Sequence, residues 1–384
     1  MVLAAYLSLA LLSISTPVNE PGSHTLPDSK IRVHADDTLR EVLADWTSLE
    51  NISLAFDQSV APERFESRCG LLADIDLQNY QISTFFETLL ASHGIALTEV
   101  PTDGDRLLIA HDYFSAIDSV PIERTDEIRE FKAHPALRMR TAASFQGHDE
   151  RQLPTLLRIL TRMMKPASGS TRETLQLQSP GVFAYDVVNV LRATDPNTAD
   201  MASFRRIERI FQTPVDSIQF GNFKTLLDMV RVYDEATSFT IVITEETRRD
   251  LRQRSFDMKT SIALAEDVHS IVSKVLFAAG FTTSIPCDES SVLAIYNDTE
   301  SQYARRLPVQ YDSREDFDNL PSLSVFVPVK LEKSDGRLLP AKLRPHVKDV
   351  RTTVLMSLDS QSLLLGGAAG YLAELWSVIA SGDK

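Results

Sequence analysis

The sequence predicts an α+β chain made of small α/β modules in tandem, a short module followed by a βαββα module, with the pair occurring twice. Three observations carry this: a pattern that recurs at an offset of 186 to 187 residues, short alternating strands set between amphipathic helices, and an ordinary globular composition. The chain has 384 residues, enough for two to four domains at roughly 100–200 residues each. With 43% hydrophobic and 24% charged residues it can bury a core along its whole length.

The stretch from Ile31 to Asp112 can be laid on Ile218 to Asp298. Each copy opens with an alternating run, Ile31 and Val33 against Ile218 and Phe220, which suits a half-buried strand. A helix follows, with Leu39, Val42, Leu43 and Trp46 matched by Leu226, Met229, Val230 and Tyr233. Both sets are spaced i, i+3, i+4, i+7, the stripe of a helix with one buried face. The next strand alternates Ile52, Leu54, Phe56 in one copy and Phe239, Ile241, Ile243 in the other.

A second helix gives the closest match, Ile82, Phe85, Phe86, Leu89 and Leu90 against Val268, Ile271, Val272, Val275 and Leu276. Gly94 and Gly280 then fall where a helix can end in a left-handed residue, which costs glycine least. A hairpin closes each copy, from Ile95 and Leu97 to Leu107–Ala110, and from Phe281 to Val292–Tyr296, with Asp103, Gly104 and Asp288 as turn residues.

Behind each short module a βαββα pattern is expected. In the first half it reads strand 141–145, helix 150–164, strands 174–178 and 182–192, and helix 199–211. In the second half it reads strand 325–331, helix 338–347, strands 353–358 and 362–365, and helix 369–379. The closing helices present Phe204, Ile207, Phe211 and Leu372, Leu375, Trp376, Ile379 as core residues.

The first 15 residues, MVLAAYLSLALLSIS, carry no charge, and their apolar part is too short for a bilayer span, which needs about 20 residues. A signal peptide over 1–16 is expected, with Ser13 and Ser15 before the cleavage point and with no Lys or Arg at its start. Export follows, with no membrane span in the mature chain; an uncleaved short anchor and a mis-assigned start are the alternatives. Two cysteines, Cys69 and Cys287, are too few for a disulfide framework and too far apart for metal spacing; one bridge and two isolated thiols both fit.

The balance of 53 acidic to 39 basic residues, a formal charge of −14, opposes binding to a phosphate backbone. Arg248, Arg249, Arg252 and Arg254 read as a solvated helix or turn face. Gly367 to Gly370 spells G-x-x-G, but it lacks a basic residue and joins a strand to the last helix, so a tight turn is expected and not an RNA clamp. The histidines His34, His93, His111, His134, His269 and His346 share no spacing, and His148, Asp149 and Glu150 read as a helix cap. No nucleophile elbow, HExxH, CxxC or phosphate loop occurs, so no catalytic, cofactor-binding or metal residue is assigned and no enzyme is expected.

The short module resembles the amino-terminal domain shared by secretins and TonB-dependent transducers, on "TLREVLADWTSLENISLAFD", "LLADIDLQNYQISTFFETLLASHGIALTEV" and "RLLIAH". The βαββα module is similar to the KH-like secretin repeat domain, on "VPVKLEKSDGRLLPAKLRPHV" and "SLDSQSLLLGGAAGYLAELWSVI", with "AYDVVNVLRATD" and "FRRIERIF" in the first half. The family order of Asp, Asn or Ser, and apolar strand is placed on Asp186, Asn189, Val190–Leu191 and on Asp359, Ser362, Leu363–Leu365.

The resemblance divides the chain into 29–114, 125–213, 214–300 and 305–382, alternating short and repeat-like domains without the pore barrel. It implies a non-enzymatic periplasmic scaffold or ring component of a bacterial type II or type III secretion-type system, such as the separate periplasmic half of a split secretin. Its partners would be copies of itself, a secretin or inner-membrane secretion proteins. A periplasmic signalling or ligand-binding module and an uncharacterised hydrolase are the alternatives.

Overall fold

The computed structural model describes residues 30–78, 82–100, 102, 106–115, 122–123, 128–144, 174–194, 211, 218, 223–256, 267–311, 313–348, 353–358 and 360–382. The first short module runs β1 (Lys30–Val33), α1 (Leu39–Glu50), β2 (Ile52–Phe56), α2 (Glu63–Glu66), β3 (Ile75–Gln78), α3 (Ile82–Ser92), β4 (Ile95–Val100) and β5 (Arg106–Asp112). Thr38 and Glu41 form a capping box at the start of α1, satisfying backbone donors that the first turn leaves open. Leu39, Val42, Leu43 and Trp46 are the buried face of that helix, as their spacing requires. β1 pairs with β3, while β2, β5 and β4 form a second sheet in which β2 is parallel and β4 antiparallel to β5.

The first repeat-like module contributes β6 (Ile122–Glu123), a 3₁₀ turn (Ile128–Ala133), β7 (Arg138–Ser144), β8 (Thr174–Pro180) and α4 (Gly181–Thr194). The second half supplies α5 (Leu226–Ala236), β9 (Thr240–Ile243), α6 (Glu245–Gln253), α7 (Val268–Ala278), β10 (Thr282–Ser284) and β11 (Val292–Tyr296). It ends with β12 (Leu307–Pro308), α8 (Arg314–Asn319), β13 (Ser324–Lys330), α9 (Leu339–Leu343), β14 (Val354–Ser357), β15 (Ser362–Ala368) and α10 (Ala369–Gly382). The fold is α+β, in small modules.

Several pairings recur in the two halves. β9 is parallel to β11 and β10 antiparallel to it, the order of β2, β5 and β4. Thr38 bridges Arg68 as Thr225 bridges Ser255, and Leu97 bridges Leu137 as Thr283 bridges Leu323. Thr225 and Asp228 repeat the capping box. Gly94 and Gly280 both take the left-handed conformation, φ 70° and 84°, as their helix-ending positions predict. In the repeat-like modules, β7 pairs antiparallel with β8 from Arg138↔Pro180, and β13 with β15 from Ser324↔Ala368.

One expectation is overturned. Residues 182–192 are helix α4, not a strand. Val182, Phe183, Ala184, Val187, Val190 and Leu191 are all buried, and Asp186 and Asn189 are buried with them. A helix enclosed on nearly every side has no polar face, so its β-branched run imitates a buried strand. The family positions placed on Asp186 and Asn189 therefore do not correspond to the strand at Ser362–Leu365; its counterpart is β8. The expected helix at 150–164 lies outside the described residues, as does that at 199–211 apart from Phe211, and so does the 1–16 segment. The second-half elements fall where the pattern puts them, with the 338–347 helix divided into α9 and a 3₁₀ turn (Arg344–His346).

The buried apolar residues form two large clusters. One joins the short and repeat-like modules of the second half, from Ile218 to Ile379. The other fills the first half and takes in Val242 and Val292 from the second. That crossing marks where the two halves meet.

Candidate functional site: the seam between the halves

The edge of β9 is closed by main chain from the first half. Leu71 makes an antiparallel bridge with Val242, and the Ile243 N–H donates to the Gly70 carbonyl at 2.9 Å. Gly70 has φ +94°, and a Cβ there would stand 2.6 Å from the Ile243 carbonyl oxygen, so the approach requires glycine twice over. Arg248, on α6, donates from Nη2 to the Leu71 carbonyl at 2.8 Å. This arginine is 4% exposed, so it does not belong to the solvated face expected for it; Arg249, Arg252 and Arg254 are exposed.

His93 supports the same turn from below, its Nε2 lying 2.9 Å from the Cys69 carbonyl. Burial holds His93 below its ordinary pKa, so the ring is neutral. A carbonyl can only accept, which fixes the proton on Nε2.

A second contact is ionic. Arg305 follows β11 and reaches Asp186 on α4 through two bonds, Nε to Oδ2 at 2.8 Å and Nη2 to Oδ1 at 2.6 Å. Its Nη1 reaches Asp288, in the turn between β10 and β11, at 2.9 Å. The three side chains are only 2–3% exposed. Burial disfavours the guanidinium, but Asp186 and Asp288 outweigh that and hold its pKa well above the ordinary value. The two-pronged geometry suits arginine and not lysine.

The same turn and the segment after β11 make further contacts. Lys132 pairs with Glu289, and the Cys287 thiol donates to the Lys132 carbonyl at 3.3 Å. Tyr303 stacks on Phe114 with centroids 5.4 Å apart, and Arg64 donates to its hydroxyl at 2.8 Å. A Cβ on Gly94 would strike the Tyr303 ring at 2.4 Å, so this helix-ending glycine also makes room for the other half.

The arrangement is adhesive. Cys69 and Cys287 are free and buried, and burial raises both thiols, which keeps them protonated and poor nucleophiles. The histidines are scattered: His111 faces Thr98, His134 faces Glu87 and His269 faces Tyr233. His148, Asp149 and Glu150 lie outside the described residues. Gly367 and Gly370 lie at the β15–α10 junction, and a Cβ on Gly370 would strike Phe277 at 2.6 Å; the motif is a packing turn.

Sequence reasoning missed Arg305 and Tyr303, and it read Asp288 only as a turn residue. One signal was present: Asp186 is a lone charge inside the apolar run from Val182 to Leu191, which calls for a buried partner.

No family model matches the chain, and no curated protein matches it. Among solved structures, it is similar to the Klebsiella pneumoniae type II secretion system outer membrane complex of PulD, PulS and the PulC HR domain, at 12% identity and a TM-score of 0.29. That match covers 91% of this chain and 50% of the other, so the chain spans about half its length. It is also similar to the GspC–GspD complex from the type II secretion system of enterotoxigenic Escherichia coli, at 15% identity and a TM-score of 0.18, over 44% of this chain and 98% of that one. A third is XcpQN012, at 9% identity and a TM-score of 0.17, over 94% and 100%. Among the described residues no helix is long and apolar enough to cross a membrane.

Proposed function

We propose that this chain is a non-enzymatic periplasmic scaffold or ring component of a secretin-type protein secretion system, made by tandem duplication of a two-module unit. The units would be 29–114 with 125–213, and 214–300 with 305–382. Bridges and capping boxes that recur at an offset of 186 or 187 residues support the duplication. The uncharged apolar start supports export, and the module resemblance supports the secretion role.

The observation that carries the reading is the seam. Its most deeply buried ionic group, Arg305 between Asp186 and Asp288, joins one unit to the next, as does the Leu71–Val242 bridge. Buried ionic groups that fix the relative placement of the parts they join suit a structural role.

The test is fractionation of the encoding cells, followed by crosslinking and affinity purification of the tagged full chain. The processed chain is expected in the periplasm, crosslinked to itself or to a secretin or inner-membrane secretion protein. A cytoplasmic chain with no such partner would overturn the reading.

A further inference from the structure

Among the described residues two large apolar side chains are exposed, Leu49 at 36% and Leu338 at 59%, and the sequence stretches that hold them carry opposite net charge. Leu338 lies just before α9, in the stretch 330–348, which holds six basic side chains against two acidic ones in a chain of net charge −14. Arg337, Lys342 and Arg344 are exposed there and make no ion pair or side-chain hydrogen bond among the described residues. Leu49 lies on α1, in the stretch 36–50, which holds five acidic side chains against one basic. Asp45 is exposed on the outer face of that helix, and its pKa is raised by partial burial and by its neighbours Asp37 and Glu41. The Leu338 stretch is predominantly basic and the Leu49 stretch predominantly acidic, with Asp36 and Arg40 of the latter paired to Arg68 and Glu66, and among the described residues no ion pair joins the two stretches within the chain.

We propose that these two surfaces are the halves of one head-to-tail contact between copies of this chain: the basic Leu338 surface of one copy docks on the acidic Leu49 surface of the next. This rests on the scaffold reading above and gives it an interface. Complementary charge around an apolar centre is the arrangement that fixes register and speeds encounter. The two surfaces differ, so the contact is heterologous, and each copy that joins leaves one of each open for another. An anionic membrane or a nucleic acid suits the basic surface less well, because the rest of the chain is strongly acidic and would be repelled.

The experiment is sedimentation velocity on the full mature chain across concentration and salt. One variant carries Lys342→Glu and Arg344→Glu, and another carries Asp45→Lys and Ser48→Lys. The wild-type chain is expected to grow in mass with concentration at low salt and to dissociate as salt rises. Each variant alone should weaken association at least about tenfold, and mixing the two should restore it, because the reversed charges then match. Restoration on mixing also shows that both variants are folded.

A chain that stays monomeric at low salt, or associates regardless of the substitutions, overturns the contact. So does binding to anionic vesicles through Lys342 and Arg344 without self-association. A monomer that still binds a secretion protein sinks this contact alone. A chain that does neither sinks the scaffold reading with it.

Discussion

Arg305 grips Asp186 by two parallel hydrogen bonds, 2.8 and 2.6 Å, across 119 residues of sequence and at 3% exposure on both sides. Neither half can hold this pair alone, so the charges are desolvated only when the seam is closed. The stability of the whole chain therefore depends on a junction between its parts.

Removing one member leaves a buried charge without its partner. Arg305→Met should cost about 3–5 kcal/mol, while replacing Arg305, Asp186 and Asp288 together by apolar residues should cost much less. Urea denaturation of the two variants checks this. Equal loss in the single and triple variants would contradict it.

The main-chain bridge makes its own prediction. Gly70→Ala puts a methyl 2.6 Å from the Ile243 carbonyl at φ +94° and should destabilise by about 2 kcal/mol or more, with faster proteolysis at the seam. Gly280→Ala has the same backbone problem, φ +84°, but the new carbon would meet only the Asp298 carboxylate, at an unstrained 4.0 Å. It should cost about 1 kcal/mol and leave the seam protected.

Two arginines on one helix should behave differently. Arg248→Ala strips the Leu71 carbonyl of its donor inside the seam and should cost about 1–3 kcal/mol. The exposed neighbour Arg249→Ala should stay within about 0.5 kcal/mol. Thermal and chemical denaturation of the pair distinguish a seam residue from a solvated one.

Acid should weaken the fold. Burial, and then the charge of Arg138, lowers His111 from 6.5 to about 4; burial alone lowers His269 to about 4. Between 6.5 and 4 the unfolded chain binds more protons than the folded one, so stability falls as the pH falls through that window. His111, fully buried, contributes up to about 3 kcal/mol of this. Asp234 opposes it: burial raises its carboxyl to about 6, so the folded form gains as the pH falls from 6 to 3.8. Asp45 and Glu300, also raised by burial, oppose the loss with Asp234, while His93, lowered by burial, adds to it; the histidines lead the balance, and unfolding midpoints measured from pH 7 to 5 should decline. His111→Gln should flatten the decline.

Much of the fold was legible because one-sided burial leaves a period in the sequence. The stripes of α1 and α5, the alternation of β2, and the glycines after α3 and α7 arise from single exposed faces or a single forced φ. α4 was not legible, because it is enclosed on nearly every side and its apolar residues lose the helical period. The seam was hidden for a different reason. Apart from the lone charge of Asp186 in its apolar run, local spacing carries no trace of this group, whose members Arg305 and Asp186 lie 119 residues apart. Arg248 was misread because a basic run looks solvated until one of its members is turned inward.

The scaffold claim is tested most directly by deleting the gene in the organism that encodes it and measuring secreted proteins in the medium and the periplasm. The account predicts that the secreted proteins accumulate in the periplasm, and that the wild-type gene restores their release while a gene carrying Arg305→Met restores it poorly. Unchanged secretion in the deletion strain, with its secretion system expressed, would contradict it.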